Sequence, residues 1–152
     1  MGSKDLGVEL GFRTYPDRYT CKGEGVSPPI TITGSTSPYL AIILDDPDAP
    51  SGTFIHWVMW NIPSTDKVPE NISAGASPPE VPGAVHGSNT DRELGYVPPC
   101  PPRGHTHRYY LKVYGLGEKL ALRPGSTSSE LEKAMVGKVL QYGEAMATFR
   151  RD

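Results

Sequence analysis

An apolar run ends abruptly in this chain and passes into a stiff acidic turn. Leu40-Ala41-Ile42-Ile43-Leu44 leads through Asp45 into Asp46-Pro47-Asp48-Ala49-Pro50. Proline holds its own φ at about −65° and turns the residue before it away from the helical region. Asp46 and Ala49 both precede a proline, so neither relaxes into a helix. A strand must end here, with two acidic side chains, Asp46 and Asp48, held in a rigid turn. A solvated surface loop has no use for that rigidity, whereas a binding site does.

The same logic extends along the chain. With 16 Pro and 17 Gly in 152 residues, both poor in helix interiors, most of the sequence must be strand and loop. The length suits a single domain over 1–152, with residues 1–5 read as a disordered or tag-derived leader. A formal charge of −2 and the lack of a basic run argue against nucleic acid as a partner. The apolar stretches fall far short of the roughly 20 residues that span a bilayer. No transmembrane segment is expected, and the N-terminus has no apolar core of a signal peptide. Cys21 and Cys100 do not make a disulfide framework. A single bridge between them has nothing in the sequence to support it, and the plain reading is a reduced, cytoplasmic protein.

Strands are expected at 30–33, 39–44, 53–62 and 107–115, with a terminal one at 145–150. Thr127-Ser128-Ser129-Glu130 has the spacing of a capping box. Leu131, Met135 and Val139 continue it as an apolar helical stripe, predicting a helix to about Gln141, stopped by Tyr142-Gly143. Residues 63–106 hold most of the prolines and no sustained period. They read as a functional loop region with small strands of its own. Several strands, one or two peripheral helices and proline-rich loops imply a mostly-β sandwich.

Side-chain alternation assigns faces. In 53–62, Phe54, His56, Val58 and Trp60 share one face; Ile55, Trp57, Met59 and Asn61 share the other. In 107–115, His107, Tyr109, Leu111 and Val113 lie together, with Arg108, Tyr110, Lys112 and Tyr114 opposite. If the three strands are neighbours, Asp46, His56, His107 and Tyr109 converge on one pocket mouth. The plainer alternative is two core histidines satisfied by backbone carbonyls.

The acidic-proline turn, His56-Trp57-Val58, Gly104 and His107-Arg108-Tyr109 together resemble the phosphatidylethanolamine-binding protein family, also called the Raf kinase inhibitor protein family. Tyr19-Thr20-Cys21, Ser27-Pro28-Pro29 and Pro99-Cys100-Pro101-Pro102 resemble its bacterial and archaeal branch. The resemblance runs from about residue 15 to 150. It implies a β-sandwich with a large central sheet, a smaller second sheet and a shallow anion pocket at one edge. Such a pocket takes phosphate, acetate or a phosphorylated ethanolamine head group. By motif match its walls are Asp46, Pro50, His56, Pro101, Pro102, His107 and Tyr109. The resemblance also implies a cis Ala49–Pro50 bond, and it raises a homodimer and inhibition of a protease or kinase through loops such as 64–82.

Chemistry agrees with an anion. Imidazolium and tyrosine hydroxyl groups donate to phosphate oxygens, and charge-assisted bonds are the stronger kind. Asp46 has the wrong sign for that ligand. Either it orients and charges a histidine by accepting a ring N–H, the preferred role, or it receives a ligand's ammonium or hydroxyl. Asp48 is either a brace for the turn or a ligand contact. Arg108 faces away from His107, which favours a salt bridge supporting the turn. One departure concerns the rim: Tyr96 is followed by Val97-Pro98-Pro99 where the family commonly has glycine, and proline offers no N–H. Residues 87–91 also form a looser loop than the family's asparagine-aspartate one.

Two further classes are weaker. An enzyme would use Asp46 with His56 or His107, but no nucleophile has a supporting context and no G-x-S-x-G elbow occurs. A metal site would use His105 and His107 with Cys100 or an aspartate, a spacing that fits no structural zinc pattern. No catalytic residue, cofactor or metal is therefore expected.

Overall fold

The computed structural model describes residues 5–152. Its strands are β1 (Gly7–Glu9), β2 (Ile30–Thr33), β3 (Tyr39–Asp46), β4 (Phe54–Pro63), β5 (Lys67–Val68), β6 (Val85–His86), β7 (His105–Leu116) and β8 (Val139–Arg151). One helix, α1 (Ser128–Met135), precedes β8. Asp17–Tyr19 forms a single 3-10 turn. β6-β4-β3-β7-β8 make a five-stranded sheet, and β1-β2-β5 a three-stranded one. Every named strand pair is antiparallel. The result is the expected mostly-β sandwich with one helix outside it.

Two apolar layers hold it together. Between the sheets lie Ile30 and Ile32 of the small sheet against Leu44, Trp57, Met59, Tyr109 and Leu111 of the large one. On the outer face of the large sheet, Leu131 and Met135 of α1 pack on Ala41, Ile43, Val58 and Trp60. β3 is therefore buried on both faces, which explains its unbroken apolar sequence. Each fully buried large apolar side chain of this kind contributes roughly 1.5–3 kcal/mol.

Strict alternation fails twice along β4, with a bulge each time. Leu44 pairs with Trp57 but Asp45 pairs with Ile55, leaving His56 as the extra residue. A bulge of this kind re-aims a side chain. Ile55 consequently packs with Val58 and Trp60 under α1. His56 turns to the inter-sheet side, where its ring lies 5.3 Å from that of Tyr109. The second bulge sets two residues, Trp60 and Asn61, opposite Ala41. Asn61 adopts φ of 55° and bonds the Leu120 backbone through its amide at 3.1 Å and 2.8 Å. His56 therefore does not share a face with Val58 and Trp60, nor does Asn61 share one with Trp57 and Met59. In β7 the expected alternation holds throughout.

The helix is shorter than its stripe suggests. Thr127 and Glu130 form the capping box in both directions, a device contributing about 1 kcal/mol. The helix ends at Met135, and Gly137 turns the chain with φ of 79°. Val139, expected in the helical stripe, instead begins β8, which pairs along nearly the whole of β7. A thirteen-residue strand satisfies more backbone than one further turn of helix, and tertiary pairing overrides the local pattern.

Three further expectations are corrected. Asp5, placed in the expected leader, forms a parallel bridge with Tyr142; residues 1–4 lie outside the described residues. The Ala49–Pro50 bond is trans, like every described peptide bond. Cys21 and Cys100 are joined in a disulfide across 79 residues, which overturns the reading of two reduced thiols. Closing a loop of that size constrains the unfolded chain by about 4–5 kcal/mol in the chain-entropy account. The pairing was not legible because it depends on the 17–23 turn meeting the 97–102 segment, where Cys21 N–H donates to the Pro99 carbonyl at 3.1 Å.

Candidate ligand pocket

β3 ends at Asp46, and the proline turn closes around that side chain. One Asp46 oxygen, Oδ1, accepts the Asp48 backbone N–H at 2.8 Å. The other, Oδ2, accepts from His107 Nδ1 at 2.7 Å. Both side chains are buried, at 5% and 6% exposure, so the pair is shielded from screening by water. The carboxylate fixes Nδ1 as the protonated nitrogen. Among the described residues His107 Nε2 has no hydrogen-bond partner.

His56 is held in a parallel way by a different acceptor. Its Nδ1 lies 2.7 Å from the Val97 carbonyl, to which it donates, and the Val97 N–H returns a bond to the His56 carbonyl at 2.9 Å. His56 Nε2 is likewise unpartnered. Burial pushes the His56 pKa below the ordinary imidazole value, opposed by the Val97 bond and the field of Asp46. The ring is thus neutral at pH 7, an acceptor at Nε2 until a bound anion draws a proton onto it.

Tyr109 lies between these rings, 5.3 Å from His56 and 6.4 Å from His107. Its hydroxyl is buried and makes no hydrogen bond among the described residues, and desolvation raises its pKa strongly. An unsatisfied buried hydroxyl costs roughly 1–3 kcal/mol. Tyr109→Phe is accordingly expected to leave the melting temperature unchanged or raised, while weakening phosphate about fivefold through loss of one neutral hydrogen bond. A lower melting temperature with unchanged affinity would contradict this assignment.

These groups share one pocket of about 280 Å³ with Pro50, Pro101 and Pro102. All seven residues matched to the family pocket therefore lie in one cavity. Asp48 and Arg108 stand outside it as a brace. Asp48 takes the Arg108 backbone N–H and Nε at 2.8 Å and 2.9 Å, and Nη2 at 2.7 Å. The guanidinium bonds hold the Asp48 carboxyl down at about 2. Arg108 sits on the opposite sheet face, as alternation requires.

Ala49, Phe54, Asp91, Val97, Pro98 and Cys100 complete the wall; Val97 and Pro98 were named as its rim, and Ala49 as part of the turn, while Phe54, Asp91 and Cys100 were missed as pocket residues. Phe54 had a signal, two positions before His56; the two rings are 4.6 Å apart. Asp91 arrives through the loop after β6. There Thr90 bonds Ile55 in both directions, and Asn89 ties Glu93 and Gly95. The rim departure also has a structural meaning. Val97 N–H is spent on His56 and Pro98 has none, so this wall contributes an acceptor that sets a histidine tautomer rather than a donor to the pocket.

A second buried histidine pair backs the site. Trp57 Nε1–H donates to His86 Nε2 at 3.0 Å, and His86 Nδ1 donates to the Gly75 carbonyl at 2.8 Å. Burial lowers the His86 pKa, and a second proton would face the indole N–H. Where folded pKa values lie below the unfolded value of about 6.5, the unfolded chain takes up protons first as pH falls. Stability is then full at neutral pH and declines below about 6.5, by up to about 1.4 kcal/mol per pH unit for each histidine. Urea midpoints measured from pH 7.5 to 5 are expected to fall, and more shallowly in His86→Gln. A flat midpoint would exclude neutral buried rings.

The fold and this site define a class: two-sheet β-sandwiches with an outer helix and a small histidine-, tyrosine- and proline-walled pocket at one end of the large sheet. The sequence model of the phosphatidylethanolamine-binding protein family matches residues 8–150, and the chain belongs to that family. A UPF0098 protein of Pyrococcus abyssi is 47% identical over 139 residues, covering 90% of this chain and 78% of the relative. The crystal structure of a phosphatidylethanolamine-binding protein homologue from Chlamydia trachomatis superposes with a TM-score of 0.86 at 33% identity, covering 99% of this chain and all of that one. The YbcL structure from E. coli, described as a member of the mammalian family, gives a TM-score of 0.84 at 23% identity over 97% of this chain and 99% of its own; it supports the fold. Among the described residues no helix is long and apolar enough to cross a membrane.

Proposed function

We propose that the protein is a non-catalytic binding module for small anionic or phosphorylated ligands, taken up in the pocket between β3, β4 and β7. One observation carries this reading. Three potential donors, the Nε2 atoms of His56 and His107 and the Tyr109 hydroxyl, belong to residues of one pocket; among the described residues the two rings bond only through Nδ1 and the hydroxyl has no partner. Each ring is already anchored through Nδ1, so its free nitrogen is preorganised rather than recruited. A pocket of about 280 Å³ fits a phosphate with a short head group and is too small to enclose an acyl chain. Asp46 serves the site by orienting His107, not by facing the anion.

The non-catalytic part is retained from the sequence, in which no nucleophile has a supporting context. Among the described residues the pocket wall offers no serine or threonine hydroxyl, and its one sulfur, on Cys100, is bound to Cys21. A cytoplasmic setting, retained from the sequence, requires a cytosol that keeps this disulfide, as hyperthermophile cells do.

The test is a titration with inorganic phosphate and phosphoethanolamine, followed by histidine ring ¹⁵N and ¹H shifts. His56 and His107 are expected to move together at millimolar ligand while His86, committed at both nitrogens, stays in place. Static His56 and His107 signals would overturn the reading.

A further inference from the structure

The disulfide has an asymmetric environment. Both cysteines are exposed. Arg151 Nη1 lies 3.1 Å from Cys100 Sγ and 3.5 Å from the Pro101 carbonyl. No side-chain cation of the described residues bonds the Cys21 sulfur. Lys22 is the neighbour in sequence, but its side chain makes no hydrogen bond or ion pair among the described residues, and its backbone N–H is spent on Thr20 Oγ1 at 3.1 Å. The two sulfurs of one bond are therefore unequal. One departs toward a guanidinium and the other does not.

In thiol–disulfide exchange the better-stabilised thiolate is the better leaving group, and access decides which sulfur is attacked. We infer that Cys21–Cys100 is an exchange site for small thiols and dithiols, attacked at Cys21 Sγ, with Cys100 released as a thiolate beside Arg151 on the pocket wall. In the first step the incoming thiolate bonds Cys21 Sγ, the S–S bond breaks, and its electron pair leaves on Cys100 Sγ. With a dithiol, the second thiol loses its proton to solvent and displaces Cys21 by attacking the incoming sulfur. A cyclic disulfide leaves, and the Cys21 thiolate takes a proton from solvent. The dithiol is oxidised by two electrons and the protein disulfide is reduced by two.

The fold allows this chemistry without loss of the segments involved. The 17–23 turn and the 97–102 segment remain joined by Cys21 N–H to the Pro99 carbonyl and by the Tyr96 hydroxyl to the Tyr19 carbonyl at 2.6 Å. Pro98 stays seated against Gly25. Cys100 lines the ligand pocket, so exchange would place a free thiolate or a neutral bridge on the same wall, while any adduct stays on the Cys21 side.

The experiment exposes the folded, oxidised protein to glutathione at pH 7, quenches with acid, alkylates, and locates the mixed disulfide by peptide mass spectrometry. The adduct is expected on Cys21, with alkylation on Cys100. Arg151→Gln is expected to slow exchange about tenfold and to lose the preference, and Arg151→Lys to restore much of both. In Cys21→Ser, iodoacetamide should modify Cys100 faster at pH 7 than in the double variant with Arg151→Gln. Adducts on Cys100, an even distribution, or equal rates in wild type and Arg151→Gln would overturn the inference. Circular dichroism confirms that each variant is folded, and none of these readouts depends on anion binding.

Discussion

Replacing His107 by asparagine is expected to weaken phosphate binding by about 10- to 100-fold while leaving the fold cooperative. A hydrogen bond to a charged group contributes roughly 1.5–3 kcal/mol, and about 1.4 kcal/mol is a factor of ten. Asparagine keeps an N–H close to where Nδ1 meets Asp46 Oδ2 and has nothing in place of Nε2. It therefore removes the ligand donor and spares the buried pair. His107→Ala removes both, and stranding a buried carboxylate of this kind costs roughly 3–5 kcal/mol. The two variants should separate in urea, with alanine far less stable than asparagine, and coincide in calorimetric titration with phosphate. Wild-type affinity in His107→Asn would reject the assigned role.

The parts of this site that could be read from sequence were those set by local chemistry. The proline turn locates the end of β3, and period two places His107 with Tyr109 and Arg108 behind them. The structure keeps both relations. His56 was placed in the pocket despite alternation, which would have sent it under α1 with Val58 and Trp60. Only the register between Leu44–Trp57 and Asp45–Ile55 exposes the bulge that turns it round, and register belongs to a strand pair rather than to one strand. Val97 was visible as a departure but not as a partner of His56, because 41 residues separate them. The disulfide failed for the same reason. The extra length assigned to α1 shows the opposite error, where a local stripe through Val139 lost to long-range pairing with β7.

Sulfate, whose charge is constant near neutral pH, is expected to bind about a hundredfold more weakly for each pH unit above neutrality, one decade for each ring, and Asp46→Asn should make that slope shallower by about one decade per unit. His107 Nδ1 already gives its proton to Asp46 and His56 Nδ1 to Val97. A ring so committed presents a second N–H at Nε2 only as the imidazolium. Anion binding must therefore be coupled to proton uptake, one decade per pH unit for each proton. In Asp46→Asn the side-chain oxygen stays on the Asp48 N–H, which turns the amide N–H₂ toward His107 Nδ1. Nδ1 becomes the acceptor, the neutral ring carries its proton at Nε2, and sulfate finds a donor without uptake. His56 keeps its Val97 bond in both proteins, so the difference in slope isolates His107. Affinity should be lower than wild type at the acid end, since an imidazolium donor is stronger than a neutral one, and the two curves should converge or cross as pH rises. Parallel curves would mean that Asp46 does not set the tautomer, and a flat wild-type curve that neither histidine donates to the anion.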